Sequence, residues 1–274
     1  MRIEKHLNDQ LTQKFGQTGK DKAKVLEQLA TGKRINRASD DAAGLSIARE
    51  FEKQIRAYRN AAENIQAGMS AMSIADGASG SINDMLQRQR ELAVQGANGA
   101  YGQEQRDALD REFQSLSQEI DRVSKSTEFN GQKLLDGTGA LADGTGQIQS
   151  GADPGDTMTL SASDLSLSAL GTGPSSLQSP AAALQAMGSI DAAMRKVNDN
   201  RATQGGLSNR FEYAYSNNQN QQVNLAHGLS TIEDLDYAKG LTDKVRNDIL
   251  QNSQASAISQ FNQLSKTHIL ALLQ

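Results

Sequence analysis

From about Asp41 to Gln95 the apolar positions keep helical time, and no proline interrupts them. Phe51, Ile55, Tyr58, Ala62, Ile65, Met69 and Met72 recur at spacings of 4, 3, 4, 3, 4 and 3. This is a heptad seam, one apolar edge that other helices must cover. Ala75, Ala78, Ile82, Met85, Gln89 and Leu92 carry it on, but Met69, Met72 and Ala75 place two steps of three in a row. Such a stammer predicts local overwinding. A helix of this length reaches roughly 80 Å. The seam therefore predicts a rod rather than a round core.

A second helix is predicted from about Gln103 to Lys125, with Leu109, Phe113, Leu116, Ile120 and Val123 on its seam. The short connection around Gly96–Gly99 makes it antiparallel to the rod. Helical periodicity returns at Ala181. Leu184, Met187, Ile190, Met194 and Val197 form a stripe, the interior turns polar at Arg201, Gln204 and Asn209, and Phe211, Tyr215, Val223, Leu225, Leu229 and Ile232 continue it.

The two ends are amphipathic. Ile3, Leu7, Leu11 and Phe15 recur at steps of four, Gly16 to Gly19 reads as an interruption, and Val25, Leu26 and Leu29 resume. A break follows at Thr31–Asp41, where Ser39 or Asp40 suits an N-cap for the rod. At the far end Val245, Ile249, Ile258, Phe261, Leu264, Ile269, Leu272 and Leu273 give an apolar face to the last helix. Isolated amphipathic helices are marginal in water. These faces are covered either by the chain's own core or by another copy, and the first of them also by the far end of the chain. Apolar chain ends left bare invite association.

Between Asn130 and Pro180 the period changes. Gln147–Ser150 and Thr157–Ser161 alternate apolar and polar residues around a Gly-Ala-Asp-Pro-Gly-Asp turn, which predicts a β-hairpin. Asp164–Leu170 is expected to add a short strand, and a Ser/Gly-rich loop follows. Some fifty residues are too few for an independent domain of any size.

Composition agrees with a thin bundle: apolar residues make up 37% and aromatics 4%, with no Trp and no Cys. Disulfide and thiolate chemistry are excluded. The net charge of −4 is uneven: residues 1–36 carry eight Lys/Arg against four Asp/Glu, while 134–194 have none of the former. The scattered lysines lack aromatic platforms, so nucleic acid is not an expected partner. No run of 18 apolar residues exists, so no membrane span is expected, and the opening residues lack the apolar core of a signal peptide.

The three histidines, His6, His227 and His268, stand apart, and no metalloprotease, Walker or nucleophile-elbow motif is present. Asp153 and Asp156 read as a solvated turn ahead of a weak Ca²⁺ site. No catalytic residue, cofactor or metal is expected. The periodicity describes an assembly protein with a helical rod, a small β patch and adhesive ends.

Particular motifs say more. Gln28–Ala48, with Ala-Thr-Gly-Lys-Arg-Ile-Asn-Arg-Ala-Ser-Asp-Asp-Ala-Ala-Gly-Leu at its centre, resembles the signature segment of bacterial flagellins. Leu86–Gln95, Glu128–Gly137, Ile232–Ala238 and the closing Leu-Ala-Leu-Leu-Gln resemble further flagellin motifs, in family order. The resemblance implies a mainly α protein: a long antiparallel coiled-coil bundle with a small β-hairpin insert and paired N- and C-terminal helices in the inner core of a tubular filament. It implies an inner-core helix and spoke at 1–40, outer-core helices at 41–136, and the hairpin and loop at 137–180 in place of outer variable domains. A C-terminal outer-core helix at 181–232 and an inner-core helix at 233–274 complete it. The Lys-rich start, with Gly16 and Gly19, departs from the family's nearly neutral opening.

The implied function is that of a structural, non-enzymatic subunit self-assembling into the flagellar filament for motility. It would be exported unfolded through a type III channel without a cleaved signal, its termini folding on assembly. A hook–filament junction protein is the alternative. The implied partners are identical subunits, an export chaperone, the filament cap and hook-associated proteins. Subunit packing is expected at Ile3, Leu7, Leu11, Phe15, Ile258, Phe261, Leu264, Ile269 and Leu272. Gln87, Arg88, Arg90, Leu92 and Glu112 match positions that contact the vertebrate flagellin receptor in related flagellins; the other reading of that face is subunit packing. Lys33, Arg37 and Ser39 depart from the peptide that plant receptors recognise.

Overall fold

The structure is a computed structural model that describes residues 2–138, 146–160, 163–173 and 175–272, the side chains of 2–5 and 265–272 excepted. Its elements in order are α1 (Arg2–Thr31), α2 (Ala42–Gly96), α3 (Gln103–Ser126), β1 (Glu128–Phe129), β2 (Gln132–Lys133), β3 (Gln147–Gln149), β4 (Thr157–Thr159), α4 (Leu167–Leu170), α5 (Pro180–Glu233) and α6 (Tyr237–Leu272). The fold is mainly α with small antiparallel strand pairs, as the periodicity predicts. The chain divides into two compact units, one of residues 1–53 with 224–274 and one of residues 54–223.

In the second unit the buried edge of α2 runs Ala61, Ile65, Gly68, Met72, Ala75, Ser79, Ile82, Leu86, Gln89, Ala93 and Gly96. Its steps alternate strictly between four and three. Along this line, with Ala62, Ala71 and Leu92 buried beside it, no two steps of three adjoin, so the expected stammer is absent from it: the seam expected from the sequence runs through Met69, Ala78 and Met85, which are only partly buried, instead of Gly68, Ser79 and Leu86. The same holds on α5, where Ala183, Ala186, Ile190, Ala193, Val197, Asn200, Gln204, Leu207 and Phe211 form the buried edge. Leu184, read as part of the stripe, is 61% exposed. Val223, read on its continuation, is exposed too. On α3 the buried edge is Phe113, Ser117, Ile120 and Ser124. Small residues at these steps let helices approach closely, so the seam is set by size as much as by apolarity.

Two hairpins cover the bundle. Asn130 and Gly131 have φ of 50° and 76°, the two positive values that a type I′ turn requires, and they join β1 to β2. This hairpin was not expected from the sequence, although Asn-Gly is its strongest short-range signal. β3 and β4 pair as expected, Ile148 opposite Met158. Ile148 packs over Gly68, where a β-carbon would overlap its terminal methyl and lie 3.2 Å from the Phe211 ring. Asn218 Nδ2 donates to the Ser150 carbonyl at 2.8 Å and fastens the hairpin end to α5. The strand expected at Asp164–Leu170 is instead the short helix α4, capped by Ser166 and ended by Gly171 in the left-handed region. Ser and Ala interrupt the apolar alternation there, and a local cap wins over a third strand.

In the first unit α1 lies along α6. It is continuous through Gly16 and Gly19, contrary to the expected interruption. Two glycines cost a helix about 1 kcal/mol each, and Gly19 sits where the Gln251 side chain of α6 comes near. The N-cap of α2 is Asp41, whose Oδ1 accepts from Gly44 N at 2.8 Å, rather than Ser39 or Asp40. Asp40 closes the preceding turn, accepting from the backbone N–H of Asn36 and Arg37.

Candidate assembly surfaces

The break after α1 and the segment before α6 tie to each other. Arg34 N donates to the Glu233 carbonyl at 2.6 Å and Leu235 N to the Gly32 carbonyl at 2.9 Å. The Arg34 guanidinium donates to the Ile232 carbonyl at 2.6 Å, and the Tyr237 hydroxyl to the Leu29 carbonyl at 3.1 Å. Lys33 Nζ lies 2.7 Å from the buried Glu233 carboxylate. Gly32, with φ of 71°, turns the chain here. Ile35 is buried beneath the knot. The Lys24 ammonium at 2.8 Å, with the two turn N–H groups, holds the Asp40 carboxyl below its ordinary range.

Along α1 and α6 the pairing includes a polar cluster. Lys22 Nζ meets Asp248 Oδ1 at 2.8 Å and Gln251 Oε1 at 3.0 Å. Lys22 first, then Lys244, depresses the Asp248 carboxyl. Meanwhile Leu241, Val245 and Ile249, one row at steps of four, are 53%, 54% and 60% exposed. The amphipathic helix therefore turns its row of large aliphatic side chains outward. Leu7 and Leu264 are also exposed, whereas Leu11, Phe15, Ile258 and Phe261 are half-buried. Ile3, Ile269 and Leu272 lie outside the residues whose side chains are described. Leu241 was not picked out in the sequence, where its step to Val245 was the available signal.

On the second unit Arg88 donates from Nε and Nη2 to Glu112 Oε1 at 2.9 and 2.8 Å, and from Nη1 to Glu91 at 2.9 Å. The Glu112 bond, then the Glu91 bond, moves its titration further up. Arg90 Nε meets Asp191 Oδ1 at 2.7 Å, joining α2 to α5. Gln87 is exposed and, with Arg90, Glu91, Val94, Gln95 and Met194, lines a shallow groove. Leu92 belongs elsewhere: it is fully buried in the core beside Phe113 and Ile120, so the face expected to include it is made without it. The helical step explains this, since Leu92 falls on the seam side of α2, one residue from Ala93. Among the described residues no group of three or more His, Asp or Glu stands close enough to hold a metal ion, and no helix is long and apolar enough to cross a membrane.

Long seam-packed helices, small hairpins and an outward-turned aliphatic row define a structural protein of the helical-assembly class. Residues 6–140 match the model of the bacterial flagellin N-terminal helical region, and residues 187–273 that of the C-terminal helical region. A flagellin of Halalkalibacterium halodurans is 38% identical over 253 residues, 92% of this chain and 91% of the relative. The flagellar filament 33 kDa core protein of Treponema phagedenis is 33% identical over 273 residues, 95% of each chain. The crystal structure of Bacillus cereus flagellin matches 57% of this chain and 88% of its own at 38% identity, with a TM-score of 0.51. The chain belongs to the bacterial flagellin family. It is a structural subunit of the flagellar filament, an extracellular polymer of identical subunits, and nothing in these matches favours the hook–filament junction alternative.

Proposed function

We propose that the chain ends of the first unit form the inner-core part of the subunit and that the second unit belongs to the outer-core part. On this reading residues 1–40 and 233–274 line the filament interior, 41–136 and 181–232 supply the outer-core helices, and 137–180 stands where larger flagellins carry outer domains. Polymerisation covers Leu7, Leu11, Phe15, Ile258, Phe261 and Leu264, together with Ile3, Ile269 and Leu272. The observation that carries this reading is the exposed row Leu241, Val245 and Ile249 on a helix that meets α1 in part through polar contacts. Two weakly paired helices gain their apolar burial from neighbouring copies, so their ordering is coupled to assembly. The subunit passes unfolded through the export channel without a cleaved signal, attended by a chaperone, and is placed beneath the cap beyond the hook-associated proteins. No catalysis is needed for this role. Gln87, Arg88, Arg90 and Glu112 serve subunit packing first, and recognition by a host flagellin receptor uses the same face.

Val245→Asp with Ile249→Asp tests the central claim. These side chains make the exposed row, so the monomer should keep its helix content by circular dichroism while filament yield falls at least tenfold. Filaments of normal yield from the double variant would sink the reading.

A further inference from the structure

Besides Gly68 beneath Ile148, four glycines stand well inside the long helices of the second unit: Gly77 and Gly80 on α2, Gly205 and Gly206 on α5. A β-carbon built on any of these four meets nothing within 4 Å, so close packing inside the subunit does not require them. None has a left-handed backbone. A helix-interior glycine that packing does not need only loosens the helix, by about fivefold in the local equilibrium relative to alanine. The Arg201–Asp76 pair, at 2.8 Å and with both side chains about half exposed, sets the two glycine pairs within about two turns of each other. An exposed pair of this kind ties the helices weakly.

The seam is also at its most polar here. Ser79, Asn200 and Gln204 are buried on it. Asn83 Oδ1, Asn200 Nδ2 and Gln204 Oε1 are buried without a hydrogen-bond partner in the protein. Such groups weaken the closed state, and opening returns them to water. The third helix reaches its end along this stretch. Gln89 pairs with Ser117 and Arg88 with Glu112, which puts Ser126, the end of α3, opposite roughly residues 74–80 of α2. On either side the packing is more apolar: Leu86, Leu92, Ile120 and Val197 toward one end, where Gln89 is the polar exception, and Ile65, Leu207 and Phe211 toward the other.

We infer that the second unit carries a compliant belt, Ala75–Asn83 on α2 with Asp199–Gly206 on α5, where the bundle opens and bends before either flank does. In the filament, on whose assembly this mechanical role rests, the belt takes up changes of curvature while the apolar flanks keep their packing. The glycines are the adjustable element, and the unpartnered amides set the low cost of opening.

Hydrogen exchange on the full-length monomer tests the belt without reference to assembly. Backbone amides of the belt should exchange at least tenfold faster than those of Leu86–Ala93 and Phe211–Asn218. Replacing all four glycines by alanine should slow the belt on the order of a hundredfold or more and leave the flanks within a fewfold. A wild-type belt as protected as its flanks overturns the inference, as does a variant with unchanged rates or with protection gained evenly across the unit. Filaments of the variant should show a longer persistence length by electron microscopy. An unchanged persistence length, or failure of the stabilised variant to polymerise, overturns the mechanical role, the latter by assigning the glycines to contact between copies.

Discussion

Gln89 offers the sharpest test of how the α2–α3 seam works. Its side chain is fully buried, Nε2 donates to the Phe113 carbonyl at 3.1 Å and to Ser117 Oγ at 2.7 Å, and Oε1 has no partner. Two neutral hydrogen bonds contribute about 2 kcal/mol in total, while a buried acceptor left unpaired costs about 1–3 kcal/mol. The two terms nearly cancel. Gln89→Leu removes both and adds apolar burial of similar volume. Ser117 Oγ still donates to the Phe113 carbonyl at 3.0 Å, so no donor is orphaned. The leucine variant is therefore expected within about 1 kcal/mol of the parent, on either side. Gln89→Ala fills nothing in return and leaves a cavity, for a loss of about 3 kcal/mol. At this size that lowers the thermal midpoint by about 6–12 °C. Calorimetry or urea unfolding of the monomer reads both. A leucine variant destabilised by more than about 2 kcal/mol would refute the reasoning, because the hydrogen bonds would then outweigh the orphaned oxygen. What the glutamine supplies instead is register, since its amide meets α3 at one step only.

Two further outcomes are expected. Lys33→Met leaves the Glu233 carboxylate buried without its cation and should destabilise the first unit by about 2 kcal/mol, whereas adding Glu233→Gln should recover most of that; equal instability of single and double variants would count against the pairing. The Asp248 carboxyl titrates below its ordinary 3.8 in the folded chain, so its contribution is complete above that value and is lost as pH falls through the depressed one. Below about pH 4 the pairing of α1 with α6 should loosen, seen as loss of helix signal in assembled filaments. The acid step should shrink in Asp248→Asn, and an identical acid profile would argue against the assignment.

The rod, the second helix and the β3–β4 hairpin were legible because period and turn chemistry are local properties. The register of the rod was not. Weight given by hydrophobicity went to Met69 and Met85, which cover the seam from its margins, and to Leu184, which is exposed, while Gly68, Ser79, Ala93 and Ala186 occupy it. Burial in a closely approached helix pair selects for volume, which a hydrophobicity count does not see. Gly16 and Gly19 misled in the opposite sense: glycine costs a helix about 1 kcal/mol, and α1 runs through both without a break. The exposed pairs Arg88–Glu112 and Arg90–Asp191 join residues 24 and 101 positions apart, beyond the reach of any local pattern. Leu92 shows the limit of transferring a motif position without its helical phase.

The polar pairing of α1 with α6 has a consequence for the solvent. Lys22–Asp248 is a half-buried ion pair, which dissolved salt weakens in part. The row Leu241, Val245 and Ile249 responds in the opposite way, because excluded anions such as sulfate strengthen apolar burial. One change of medium therefore loosens the grip of the two chain ends on each other and tightens their preference for a neighbour's surface, so that the ionic strength outside the cell acts on both sides of the same exchange.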